Sequence, residues 1–169
     1  MGKVASQEEL IQIVAREKHS ERRVVFTNGC FDLLHPGHVR CLAAASAKGN
    51  LLIVAINSDS SVFKLKGPGR PFVPQQDRAE VLAALTSVDY VTIFDELTPL
   101  PLIEKLQPDV LVKGADWKVS DIVGRAEVEA AGGSVETIPL VTGYSTSALV
   151  ERIRQSAEAS RKLSADRHI

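Results

Sequence analysis

RRVVFTNGCFDLLHPGH, residues 22–38, decides how the chain is read. Val24 to Thr27 form a short apolar run that reads as a buried strand. GCFDLLHPG follows as a loop, and Pro36 near the start of the next apolar-periodic segment marks a helix opening. A buried strand, a glycine-containing turn and a helix start in that order give one half of a βαβ unit. The turn carries two histidines three residues apart, His35 and His38. His38 falls in the first helical turn, where unpaired amides and the positive dipole end attract phosphate. Gly37 leaves room for backbone to approach a ligand. Two imidazoles beside a phosphate site suit electrostatic stabilisation of a phosphoryl transition state, with no covalent intermediate.

Outward from that unit the alternation continues. A helix is expected from Ser6 to Lys18, with Ser6 and Glu9 as a capping box. The helix after His38 runs to Lys48 and stops at Gly49. LLIVAIN, Leu51 to Asn57, is a fully apolar strand. Ser58 to Pro74 is polar and rich in Gly and Pro, which reads as a loop. A helix from Gln75 to Leu85, a strand from Tyr90 to Phe94, a short helix from Leu100 to Leu106 and a strand ending at Lys113 follow. A helix from Arg125 to Ala131, a strand within SVETIPL and a helix opening near Ser145 complete the order. This predicts an α/β fold: a doubly wound, parallel five-stranded sheet with helices on both faces. Ligands of such sheets bind outside the carboxyl ends of the strands. The 169 residues read as one domain, with residues 1–22 as an N-terminal helical extension and residues 155–169 as a helix end and polar tail expected to fray after Ser160.

The formal net charge of -1 gives no bulk attraction to nucleic acid or an anionic membrane, so neither is an expected partner. Two cysteines, Cys30 and Cys41, form neither a disulfide framework nor a metal-ligand spacing, and no metal site in the protein is expected. No signal peptide or membrane span is read, and the expected location is the cytoplasm. Gly2 in MGKVAS fits an N-myristoylation pattern only superficially.

His35-Pro36-Gly37-His38 resembles the HxGH signature of the cytidylyltransferase-like nucleotidyltransferases. NSDSSVFKLKGPGRPFVPQQDR (Asn57 to Arg78), VLVKGADW (Val110 to Trp117) and GYSTSALVERI (Gly143 to Ile153) resemble three further blocks, in the family's order. The resemblance covers about residues 24 to 154 and implies a Rossmann-like nucleotidyltransferase domain. Within the family the wording is similar to the adenylyltransferases of ADP-heptose synthesis, which occur alone or as the second half of a fusion with a sugar kinase. With no kinase segment here, the stand-alone form is expected. The implied reaction is ATP plus heptose 1-phosphate giving ADP-heptose and pyrophosphate. Mg2+ is the implied cofactor, held mainly by the triphosphate, and a homo-oligomer is implied as well.

The resemblance also implies roles. His35 and His38 stabilise charge as the α-phosphorus is attacked. Lys64 and Lys66 bridge the acceptor phosphate and the α-phosphate, in an order left open. Cys30 and Phe31 touch nucleotide through backbone; Gly37 and Gly143 are further nucleotide-binding candidates, Gly143 by letting the chain turn into the last helix, and Ser145, Thr146 and Ser147 form a nest for the β and γ phosphates. Asp32 either binds a sugar hydroxyl or braces its loop; Arg70, Arg78 and Trp117 are further substrate-binding candidates, with an ion pair to Asp77 as the rival role for Arg78. Three positions depart from the usual wording: Ala115 within Gly-Gly-Asp, Tyr144 where Cys is frequent, and Leu140 where glycerol-phosphate cytidylyltransferases carry Arg. Two other functions stay open, a cytidylyltransferase acting on glycerol 3-phosphate or another polyol phosphate, and a non-catalytic nucleotide-binding regulatory module.

Overall fold

The computed structural model describes residues 1–165, the last four of them as helix backbone alone. Six strands form one parallel sheet in the order β1-β4-β3-β2-β5-β6. The strands are β1 (Lys3–Val4), β2 (Val24–Gly29), β3 (Leu51–Asn57), β4 (Tyr90–Phe94), β5 (Val110–Gly114) and β6 (Ser134–Ile138). The helices are α1 (Gln7–His19), α2 (Pro36–Ser46), α3 (Asp59–Lys66), α4 (Gln75–Ala83), α5 (Leu100–Leu106), α6 (Arg125–Ala130) and α7 (Thr146–Ala165).

Alternation along the strands builds two apolar layers. Val24, Phe26, Leu51, Ile53 and Ala55 face one side and pack with Leu10 and Val14 of α1, Leu102 and Ile103 of α5 and Val128 of α6. Val25, Leu52, Val54 and Ile56 face the other side, against Leu42 and Ala45 of α2 and Ala79 and Leu82 of α4. From β2 the chain winds outward to β3 and β4, then crosses back to β5 and β6. The switch in direction therefore falls between β2 and β5, which is where such sheets open a crevice.

The sheet has six strands, not the expected five. The additional one, β1, is a two-residue edge strand pairing Lys3 with Tyr90 and Val4 with Val91. Two exposed residues carry no periodicity to read. Gly2 has a packing reason of its own: a Cβ there would stand 2.4 Å from the Val88 carbonyl oxygen. The Ser58–Pro74 stretch is also not all loop. Ser58 Oγ accepts from the Ser61 amide at 3.2 Å and caps α3. At the other end α7 stays helical through Ala165, past the Ser160 where fraying is expected; residues 166–169 lie outside the described residues. Among the described residues no helix is long and apolar enough to cross a membrane.

Candidate active site

At the carboxyl edge of the sheet, above the β2–β5 switch, lies a cavity of about 630 Å³, within the range of small-molecule sites. The turn after β2, the start of α2, the end of α3, the loop after β5 and the start of α7 enclose it.

His35 is the N-cap of α2 and His38 lies in its first turn. Their rings stack with centroids 3.8 Å apart and planes at 17°. Phe31 lies against His38 at 5.3 Å, and Tyr144 lies on the far side of His35 at 6.2 Å. Gly37 permits this stack, because a Cβ there would sit 2.9 Å from His35 Nδ1 and 3.1 Å from Tyr144 Cβ. The Nδ1 atoms of both histidines are buried with no protein partner. A buried ring nitrogen left unpaired costs about 1–3 kcal/mol, so the pair is arranged for something other than the empty protein's stability. Burial, reinforced by the neighbouring His35, pushes the His38 imidazole down to about 4, and burial lowers His35 too. Both rings are therefore neutral at pH 7, each with one N–H to donate.

Helix N-termini add donors. The His38 amide bonds the His35 carbonyl at 2.9 Å, and Pro36 has no N–H. Gly37 therefore supplies the first-turn amide of α2 that no carbonyl receives. In α7, Ser145 Oγ accepts from the Ala148 amide at 3.0 Å, leaving the Thr146 and Ser147 amides and hydroxyls at the cavity wall. Gly143, at φ 84, turns the chain toward α7 and stands just outside the cavity lining. Phe31 has φ 47, a rare conformation for an aromatic residue, and its neighbour Cys30 also lines the cavity. Burial raises the Cys30 and Cys41 thiols, so neither is primed as a nucleophile.

The two lysines part company. Positions two apart on a helix face different ways. Both are exposed, but Lys66, the last residue of α3, lines the cavity and Lys64 does not. We expect Lys66→Ala to lower kcat/KM at least about tenfold, a loss of ~1.4 kcal/mol of transition-state binding. Lys64→Ala stays within about twofold, since a solvated charge outside the site contributes little. Steady-state kinetics on both variants checks this, and equal losses would restore the loop reading of both residues.

One substrate-binding expectation needs correction, that for Arg78, and Asp32 takes the bracing one of its two expected roles. Arg78 is 1% exposed and does not face the cavity. Its guanidinium donates to the Val73 carbonyl at 2.9 Å, to the Cys30 carbonyl, and to Asp59 Oδ1 at 2.7 Å. It is a clamp behind the site, and its acidic partner is Asp59, not Asp77. Asp32 is a brace: Oδ1 accepts from the Phe72 and Val73 amides at 2.7 and 3.0 Å, and Oδ2 pairs with Arg70 at 2.8 Å. These three donors hold its carboxylate in place at the cavity lining. Arg70 reaches the cavity from this brace, its guanidinium over Phe72 at 4.2 Å. Trp117 lines the opposite wall and is half exposed.

Asn28, Cys41, Lys113 and Asp116 also line the cavity without having been read as site residues, as do Leu140 and Tyr144, which the sequence marks only as departures from the usual wording. The available signal was position: Lys113 and Asp116 sit at the carboxyl end of a buried strand, where α/β sites gather.

The cytidylyltransferase-like family model matches residues 26–152 of this chain. The chain belongs to the cytidylyltransferase-like family. Bifunctional protein HldE of Koribacter versatilis is 55% identical over 151 residues, covering 89% of this chain and 31% of that protein. Its counterpart from Geobacter sulfurreducens is 52% identical over 152 residues, 90% of this chain and 31% of that one. The chain thus spans about a third of the length of the curated relatives it matches. A lipopolysaccharide core biosynthesis protein from Thermoplasma volcanium superposes with a TM-score of 0.58 at 22% identity, over 71% of this chain and 97% of that one. Pantoate-beta-alanine ligase from Francisella tularensis gives 0.58 at 14% identity, over 82% and 67%. At these identities the two structures establish a shared α/β fold. In this cytidylyltransferase-like domain Tyr144 stacks on His35, and the Arg40 guanidinium lies 5.8 Å from the Tyr144 ring, at the approach to α7.

Proposed function

We propose that this domain transfers AMP from ATP to a sugar 1-phosphate, heptose 1-phosphate in the first instance, giving ADP-heptose and pyrophosphate. The observation that carries the reading is the stacked His35–His38 pair, with buried unpaired nitrogens, set beside the free amides and hydroxyls at the start of α7. An oxygen of the acceptor phosphate attacks the α-phosphorus of ATP, and the bond to the bridging oxygen breaks as pyrophosphate leaves. The histidines donate to the oxygens on which charge accumulates. Thr146, Ser147 and Gly37 hold the departing phosphates, and Lys66 and Arg70 draw the acceptor phosphate in from the α3 side.

Mg2+ enters on the triphosphate in this proposal. Identity above 50% to proteins named bifunctional and about three times longer supports a domain that elsewhere occurs fused to a second one. The cytoplasm, where ATP is supplied and free thiols such as Cys30 and Cys41 persist, is the proposed location. A homo-oligomer remains an implication of the sequence resemblance.

Adenylyl over cytidylyl transfer is the discriminating expectation. ATP should be preferred to CTP by at least about tenfold in specificity, or ~1.4 kcal/mol of differential transition-state binding. Leu140 stands in the cavity wall where glycerol-phosphate cytidylyltransferases carry Arg, so a charged donor is missing there. Pyrophosphate release with heptose 1-phosphate and matched subsaturating ATP or CTP is the measurement. Equal or faster use of CTP would overturn the adenylyl reading, and no release with any sugar or polyol phosphate would favour a non-catalytic module.

A further inference from the structure

Lys113 is the last-but-one residue of β5, and the β2–β5 register that pairs Thr27 with Val112 brings it level with Asn28. It therefore stands on the cavity floor, directly over the switch point. Its Nζ donates to the Asn28 carbonyl at 3.1 Å and to Asn28 Oδ1, which ties the two central strand ends together. An ammonium has three N–H groups. The third finds no acceptor among the described residues, and the side chain lines the cavity with Trp117, whose ring centroid is 5.8 Å from Nζ.

We propose that Lys113 is a substrate-binding residue that gives this third N–H to a phosphate oxygen of a bound substrate. The proposal rests on the nucleotidyltransferase reading above and adds a cationic contact on the β5 side, opposite Lys66 and Arg70. Desolvation is the larger influence on this amine and lowers its titration to about 8, partly offset by Asp116 and Cys30. The other ionisable groups around the cavity are Lys66, the Arg70–Asp32 pair, His35, His38, Cys30, Cys41, Asp116 and Tyr144; Thr137, its neighbour on β6, is neutral. Burial keeps the Cys30 and Cys41 thiols protonated beyond their usual range, and both imidazoles titrate well below 8. A proton loss near pH 8 that disappears in the Lys113 variants is therefore its own. Phosphate anions stabilise its charged form, so binding weakens as pH rises past 8.

The test is binding to the intact chain between pH 7 and 9, with α,β-methylene-ATP and heptose 1-phosphate as separate probes. Trp117, the single tryptophan, serves as the fluorophore. We expect affinity of the unaltered protein for one or both probes to fall up to about tenfold per pH unit above 8. Lys113→Arg, charged throughout, should bind with no alkaline loss. Lys113→Met should bind about tenfold or more weakly at pH 7, the worth of a hydrogen bond to a charged group, and be flat with pH. A response to the ATP analogue assigns the donor's phosphate, and a response to heptose 1-phosphate assigns the acceptor's. A flat profile for both probes in the unaltered protein overturns the proposal without requiring any variant to fold. An alkaline loss that persists in Lys113→Met overturns it as well. Absence of pyrophosphate release would sink the proposed reaction while leaving these binding curves interpretable.

Discussion

Replacing His38 with alanine should slow turnover by roughly two to three orders of magnitude, the effect of deleting one preorganised donor to developing charge. Affinity for the triphosphate should change much less, because Gly37, Thr146 and Ser147 still offer their amides to it. Single-turnover kinetics separates the two, and turnover within a few-fold of the unaltered protein would remove His38 from the chemistry. The same variant carries a pH signature. In the folded protein His38 holds its proton only below about pH 4, whereas in the unfolded chain it titrates near its ordinary 6.5. The unfolded state therefore takes up the proton first as pH falls. The stability tied to the neutral ring is complete above about pH 6.5 and is lost progressively toward pH 4. Urea unfolding across that window should fall less steeply with acid in His38→Ala. Parallel curves would mean that the buried environment of the ring has been misjudged.

The second large effect is on stability. Arg78→Met keeps the bulk of the side chain but leaves the Cys30 and Val73 carbonyls without their donor. Each orphaned buried group costs about 1–3 kcal/mol. Asp59 is 43% exposed and recovers solvent, which limits the total. We expect a loss of about 3 kcal/mol in urea unfolding. Nucleotide binding should weaken as well, since the clamp holds the turn bearing Cys30 and Phe31. A loss below about 1 kcal/mol would show that the guanidinium is not what fixes that turn.

These effects trace to residues of unequal legibility in the sequence. The central strands declare themselves: Val24 to Phe26 and Leu51 to Ile56 are apolar throughout because both faces of the sheet are covered. Alternation with helices then gives the winding, and the winding gives the edge where the site lies. The histidines and the Ser145–Ser147 block are legible because helix starts and phosphate donors coincide. What escapes is whatever depends on a partner distant in sequence. Arg78 and Asp32 look like ligands for substrate until their own partners, Asp59 and Arg70, are seen. Lys66 separates from Lys64 only once α3 is known to be a helix, and a short polar helix beside Gly67 and Gly69 gives little periodicity. Lys113 reads as the end of a strand until Asn28 appears level with it across the switch.

The order of these pieces along the chain has a consequence for limited proteolysis. Every buried residue of the two apolar layers lies at or before Ile138, whereas the wall formed by Tyr144, Ser145, Thr146 and Ser147 comes after it. A cut in the approach to α7 would therefore remove the donors opposite the histidines and spare both layers.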